Sequence, residues 1–213
     1  NIRRLIHYYE EQITRDPNIT VVKAQADYDT LVNGGFDAVI VANGGKTRRL
    51  SVPGGESDRV IYACDYLNGS RKAAGQRVAV IGGGITGAET ALELHKEGKE
   101  VTVVEMTDAF LANPGSACQA YSIEIAQTDI RIVTGKRLVA VEEGAIHLAD
   151  RWGNETTLPT DGVVIAAGFV PQHDLVEQLE QNTNMEVFHV GDSLRVRQIY
   201  DAIHEGFFAA RQI

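Results

Sequence analysis

Arg77-Val78-Ala79-Val80-Ile81-Gly82-Gly83-Gly84-Ile85-Thr86-Gly87-Ala88-Glu89 is the stretch on which the reading of this chain turns. Val78 to Ile81 is a short apolar run of the kind that forms a buried parallel strand. It breaks into Gly82-x-Gly84-x-x-Gly87, and Ala88 to Lys96 continues with good helix formers. Strand, glycine turn and helix in that order make the pattern a dinucleotide fingerprint. Gly82 permits the tight turn, Gly84 lets a pyrophosphate approach the backbone, and Gly87 lets the helix lie close on the strand. The N–H groups of Gly83, Ile85 and Thr86 open the helix, whose N-terminus offers unpaired donors to phosphates. A second strand, Glu100 to Val104, ends at Glu105, eighteen residues past Gly87. An acid near that distance is placed to bond a ribose 2′-hydroxyl, with Met106 beside it.

Outward from that unit, the chain brackets it with two hydrophobic strands that each run to a glycine. Ala38-Val39-Ile40-Val41-Ala42-Asn43-Gly44 precedes it and Val163-Val164-Ile165-Ala166-Ala167-Gly168 follows it. Between lie a small-residue helix, Ser116 to Thr128, reached through the loop 110–115, and four short runs. Those runs, Ile130–Val133, Arg137–Val141, Ala145–Ala149 and Glu155–Leu158, alternate and are separated by turns, which predicts an antiparallel meander. Trp152 is expected at a hairpin tip. At the start, Leu5, Ile6, Tyr9 and Ile13 follow helical spacing over Arg3–Thr14, then Ile19–Val22 reads as a strand and 56–68 contains a short helix. At the end, a helix over 173–181 leads to a strand over Glu186–Val190, then Gly191-Asp192 and a helix from about Val196 to Gln212. The fold class is therefore α/β: a Rossmann-like dinucleotide-binding domain with a parallel sheet and a small meander, inserted between two pieces of a second domain. The expected division is 1–70, 71–169 and 170–213.

Composition narrows the function classes. The net charge of −9 argues against nucleic acid, whose phosphates call for a basic face. No apolar run is long enough to span a bilayer as a helix, and no signal-peptide pattern is visible. Cys64 and Cys118 lie far apart and form no CxxC pair, which suggests a reducing compartment and, by default, the cytoplasm. No pair of histidines has metal-ligand spacing, so no metal is expected. The chain opens inside a helical pattern without an initiator Met, and is expected to be a piece of something longer.

The order outer, inner, outer, with these motifs, resembles the flavoprotein reductases built from two dinucleotide-binding domains. More narrowly, the chain is similar to the C-terminal reductase portion of the 2-enoate reductase and 2,4-dienoyl-CoA reductase group, within the old yellow enzyme family of NADH:flavin oxidoreductases. The residues that carry this are Leu5-Ile6-His7-Tyr8-Tyr9, the 36–45 strand and turn, Val80 to Ala91, Val190-Gly191-Asp192 and Ile199-Tyr200-Asp201-Ala202-Ile203-His204-Glu205-Gly206. The resemblance implies that NAD(H) binds the inserted domain, with Gly168 beside the nucleotide and Glu89 near the nicotinamide. It implies that FAD, in the longer protein, is contacted by Gly44, Gly191 and Asp192, with the helix after Val196 aimed at the flavin. An N-terminal barrel holding FMN, and a [4Fe–4S] centre, are implied in the remainder of that protein. NADH would pass a hydride to FAD, and electrons would continue through the cluster to FMN for reduction of the C=C of an enoate or dienoyl thioester. No side chain of this chain need act as nucleophile or acid.

Departures and alternatives stand beside this reading. The turn after the first strand is Ala42-Asn43-Gly44-Gly45-Lys46 rather than the "ATG…P" usual in the group, and no FAD fingerprint precedes it, so FAD is expected to bind poorly or not at all. Asp192 also reads as a turn or N-cap residue, and Glu89 as a first-turn acid favoured by the helix dipole. Met106-Thr107-Asp108 supplies no Arg for a 2′-phosphate, so NADH is expected over NADPH. A glutathione-reductase-like pyridine nucleotide–disulfide oxidoreductase, or a non-catalytic NAD-binding redox sensor, remain as rival readings, and the oligomeric state stays open.

Overall fold

The computed structural model describes residues 2–113 and 115–213; Asn1 and Pro114, the latter within the loop 110–115, lie outside the described residues. A five-stranded, fully parallel sheet organises the middle of the chain. Its strands are β3 (Val60–Tyr62), β4 (Arg77–Ile81), β5 (Glu100–Val104), β6 (Arg131–Val133) and β10 (Gly162–Ile165), in the order β3-β10-β4-β5-β6. Alternation along the strands divides the core into two layers. Val78, Val80, Val101, Val103 and Val164 face the helices α3 (Ala63–Leu67), α4 (Ile85–Lys96) and α5 (Ser116–Ile125). Ala79, Ile81, Val104, Val163 and Ile165 face a three-stranded antiparallel meander of β7 (Arg137–Glu142), β8 (Ala145–Ala149) and β9 (Glu155–Pro159). Both faces of the sheet are thus covered, which is why its strands read as continuous apolar runs. On the helical side α4 buries Ala88, Ala91, Leu92 and Leu94, and burying a leucine fully is worth about 1.5–3 kcal/mol.

Of the two strands that bracket the fingerprint, Val163–Ile165 belongs to β10 of the inner sheet, because it pairs with β4 and β3. Ala38–Val41 pairs instead with a later strand in a separate two-stranded parallel sheet, β1 (Ala38–Val41) against β12 (Glu186–His189). Its small core joins Val41, Val176 and Leu179, drawing on α6 (Asp174–Asn182) and α2 (Tyr28–Asn33). The chain passes between the two sheets twice, and the two passages pair as β2 (Lys46–Thr47) and β11 (Phe169–Val170), antiparallel. The remaining helices are α1 (Ile2–Arg15) and α7 (Ile199–Ala210). Insertion of one sheet between the two halves of another is the architecture expected.

Several details differ from the sequence reading. Ile19–Val22 is not a strand: no described strand lies beside it, and Val21 and Val22 are exposed. The segment 56–68 holds a strand as well as a helix, because Val60-Ile61-Tyr62 finds a partner in β10. Ile130–Val133 contributes β6 to the parallel sheet instead of the meander; it follows a helical crossover from β5, and such a crossover returns a strand parallel. The helix expected to reach Thr128 stops at Ile125, whose carbonyl accepts from Thr128 Oγ1 at 2.7 Å. Because β3 pairs into the inner sheet, and Leu50 and Val52 pack on its meander side, we propose moving the first domain boundary from 70/71 to the loop ahead of Leu50.

Candidate functional site

All five parallel strands end at one edge, and the fingerprint turn sits there. Gly82 has φ of +118°, and a Cβ on it would lie 2.4 Å from the Ala166 carbonyl oxygen. Its amide donates to Val104 O at 2.8 Å, stitching the turn to β5. A Cβ on Gly87 would lie 1.9 Å from Gly82 O, so only glycine lets α4 start this close to the turn. Gly83, which the spacing rule leaves unassigned, is equally constrained: a Cβ there would press on Glu105 and Phe110 at about 3 Å. Gly84 is the exception. It is exposed, and a Cβ on it would meet nothing within 4 Å. It is also the N-cap of α4, and no side chain caps the helix. The first-turn amides of Ile85 and Thr86 therefore face open space, in the arrangement that receives a pyrophosphate.

Glu105 closes the other side of the turn. Its Oε2 accepts from the Gly83 amide at 2.6 Å, and its Oε1 accepts from the Thr107 amide at 2.7 Å and Thr107 Oγ1 at 2.8 Å. Partial burial pushes its carboxyl pKa up, but the amides of Thr107 and Gly83 outweigh that and hold it below the ordinary value. The carboxylate thus stays charged at the strand end while fixing the loop. Exposed Met106 follows it.

These residues line one wall of a cleft of about 1080 Å³. Ala166, Ala167 and Gly168, with Gly168 at φ +82°, form its floor beyond β10. The opposite wall comes from segments remote in sequence: Arg48 and Leu50 to Val52, Lys136 to Leu138 from the start of β7, and Arg195 to Gln198 with Asp201 at the start of α7. Of the residues expected to hold NAD(H), Gly82, Gly83, Gly84, Ile85, Thr86, Glu105, Met106 and Gly168 all line the cleft, and Gly87 lies just behind. Glu89 does not: it is exposed on α4 outside the lining, and its charge bears on Tyr121 of α5. The geometry leaves it as a helix-surface acid.

The sequence pattern of the family described as pyridine nucleotide-disulphide oxidoreductase matches residues 4–206. The chain belongs to that family. Cinnamate reductase of Clostridium sporogenes is 30% identical over 99% of this chain and 32% of its own length. Among solved structures, a 2-naphthoyl-CoA reductase superposes with a TM-score of 0.84 at 27% identity, over 98% of this chain and 32% of that one. Thioredoxin reductase of T. acidophilum gives 0.66 at 26% identity, over 82% of this chain and 64% of that one. The chain spans about a third of the length of the first two.

As a member of this family the chain carries an oxidoreductase module, and the family implies FAD and a pyridine nucleotide. The glycine cradle and uncapped α4 fit the pyridine nucleotide. The flavin-side residues fit less completely. β1 and β12 run parallel, and Ser193 Oγ, after β12, donates to Val41 O at 3.2 Å. Gln172, after β11, bridges the two turns, its Nε2 donating to Asn43 O and Gly44 O, both at 3.1 Å, and its backbone amide to Ser193 O at 3.0 Å. Gly44 and Gly191 have φ of +74° and +67°. Yet the turn at Gly44 leads into β2 and not into a helix, so it presents no helix terminus to a phosphate. Asp192 is occupied as a turn residue, its Oδ1 accepting from the Arg197 amide at 3.0 Å. That bond, with the capping box of Gln198 and Asp201, also delays α7 to Ile199 from the expected start at Val196. Gly44, Gly191 and Asp192 lie outside the cleft lining, whereas the start of α7 is within it.

Among the described residues no cluster of three or more His, Cys, Asp or Glu is placed to hold a metal, and no helix is long and apolar enough to cross a membrane. Both cysteines are free, with Cys118 buried in the helical-side core. Trp152 is exposed at the β8–β9 tip under the Arg151 guanidinium. What the sequence could not show is the basic wall. Arg48, Lys136 with Arg137, and Arg195 with Arg197 come from three separate segments, and no local spacing links the three.

Proposed function

We propose that this chain is the NADH-binding reductase portion of a longer multi-cofactor flavoenzyme that reduces the C=C bond of enoate- or dienoyl-CoA-type substrates. The observation that carries the nucleotide part is the uncapped N-terminus of α4 behind an open Gly84, with Glu105 fixed across the turn. Bound NADH supplies a hydride from its nicotinamide ring; the protein's contribution is binding, orientation and exclusion of water. The α4 amides hold the pyrophosphate, Glu105 and Met106 border the adenosine ribose, and Gly168 leaves the floor of the cleft open beside the nucleotide. No side chain acts as nucleophile or general acid. In the longer protein FAD would accept that hydride, and an N-terminal barrel with FMN and a [4Fe–4S] centre would supply the route to substrate. The reductases of C. sporogenes and of 2-naphthoyl-CoA, matched over nearly all of this chain, support this reading. Free cysteines favour the cytoplasm as the compartment.

The thioredoxin-reductase neighbour raises a second reading, disulfide reduction. Against it, Cys64 and Cys118 are absent from the cleft lining and Cys118 is buried in the core, so no dithiol is presented to the nucleotide among the described residues. Anaerobic addition of NADH to the full-length protein, followed by an enoyl thioester or a disulfide, separates the two. Flavin bleaching by NADH with reoxidation by the enoyl thioester is expected; reoxidation by the disulfide alone would overturn the proposal.

A further inference from the structure

The cleft is cationic in an acidic chain. Five basic residues line it against two acids, Glu105 and Asp201, although the net charge of the chain is −9. Both acids are committed internally. Glu105 accepts three hydrogen bonds from its own loop, and Asp201 accepts from the Gln198 amide at 3.1 Å while facing Arg197 at 3.8 Å. Several bases are committed too: Arg197 is paired with Glu205, and Lys136 Nζ lies 3.7 Å from Asp150 and 3.3 Å from Thr156 Oγ1. Exposed Arg137 makes no ion pair or side-chain hydrogen bond among the described residues.

Its position is set by backbone bonds. The turn ahead of β7 is stitched to the strand end that borders the ribose: Gly135 N donates to Thr107 O at 2.8 Å and Lys136 N to Glu105 O at 3.0 Å. Arg137 therefore leaves the backbone one residue beyond a direct bond to Glu105, and lines the same cleft. We propose that Arg137 receives a phosphate on the adenosine 2′-position, so that this cleft accepts NADPH as well as NADH. Glu105 alone would repel that phosphate. With its oxygens already bonded to the Gly83 and Thr107 amides, and with a planar guanidinium in the same cleft lining able to bind phosphate through two N–H groups, the repulsion is offset. The inference rests on the reading of Gly82–Glu105 as the dinucleotide site.

Calorimetric titration of NADH, NADPH, 5′-AMP and 2′,5′-ADP tests it, on the wild type, Arg137→Ala and Arg137→Lys. The wild type is expected to bind NADH and NADPH with dissociation constants within about tenfold of each other. Arg137→Ala should weaken NADPH and 2′,5′-ADP by about 10- to 100-fold, the worth of a charge-assisted bond, while NADH and 5′-AMP move by less than about threefold. Arg137→Lys should recover part of the loss. A wild type that binds NADH but not NADPH overturns the proposal and leaves the site standing. Equal weakening of all four ligands also overturns it, assigning Arg137 to the shared adenine or pyrophosphate. Binding of none overturns the site itself. Thermal melts of each variant confirm that the fold is kept, as the exposed Arg137 side chain makes no ion pair or hydrogen bond among the described residues that its removal would break.

Discussion

Replacing Gly87 with alanine puts a Cβ 1.9 Å from the Gly82 carbonyl oxygen, where ordinary contact begins at 3.4 Å. The neighbour is backbone, pinned on its other side by the Gly82 amide bond to Val104 O, so it cannot swing away as a flexible side chain would. The first turn of α4 must retreat from β4 by about 1.5 Å, the shortfall in that contact. Overpacking of this kind costs about 1–3 kcal/mol, which for a chain of this size lowers Tm by about 2–12 °C. The same retreat carries the Ile85 and Thr86 amides out of place, so NADH binding should weaken by about tenfold or more. Gly84→Ala provides the contrast. Its Cβ meets nothing in the free protein and its backbone is already extended, φ −82° and ψ −172°. Stability should change by about 1 kcal/mol or less, while the methyl group stands where the pyrophosphate approaches and affinity falls. Differential scanning calorimetry and NADH titration on the pair read both effects. A Gly87→Ala protein with unchanged Tm and unchanged affinity, or a Gly84→Ala protein that loses stability but not affinity, would refute the reasoning.

Three further outcomes follow from the packing and the charges. Leu94→Ala removes a fully buried side chain of α4 from the helical-side core and should cost about 2–5 kcal/mol in urea unfolding, with the wild-type m-value kept. Glu105 has a carboxyl pKa held below its ordinary 4.5. Its contribution is therefore present above the unfolded value and lost as pH falls through the lower folded value; Glu105→Gln should flatten the stability profile below about pH 4.5. Asp161 behaves in the same direction. Bonds from the Arg77 guanidinium and amide and from the Gln76 amide hold its carboxyl far below the ordinary 3.8. Asp161→Asn should lower stability at neutral pH and remove the acid limb below about pH 3.8 that Asp161 contributes in the wild type, read by denaturant melts across pH 2–7.

Local signals in the sequence carried the parts of this fold that depend on local physics. The turn from β4 into α4 is legible because Gly82 and Gly87 answer contacts at the adjoining strand end and within five residues, and β10 is legible because a strand buried on both faces has to be apolar throughout. β1 was legible as an apolar strand but its partner was not: the second bracketing run is β10 of the inner sheet, and β1 pairs with Glu186–His189 instead. Elements held by distant partners were not legible. Val60-Ile61-Tyr62 is too short to announce itself before β10 supplies its ladder, and Lys46–Thr47 becomes a strand only against Phe169–Val170. Arg131–Val133 has the alternation of its meander neighbours, and its place in the parallel sheet comes from the α5 crossover before it. The candidate site divides the same way. The Gly82–Glu105 wall follows from spacing, whereas Arg48, Arg137 and the start of α7 converge on it only through tertiary packing. The resemblance implies Glu89 near the nicotinamide, whereas on α4 it is exposed outside the cleft lining and its charge bears on Tyr121.

Amide hydrogen exchange on the protein with and without saturating NADH tests the central claim most directly. Binding at the fingerprint should slow exchange at Ile85 and Thr86, whose amides no side chain caps in the free protein, and along Glu105–Thr107, and leave the meander tip at Trp152 unchanged. Heat of NADH binding with no protection at 84–87, or protection confined to the β1–β12 sheet, would contradict the account.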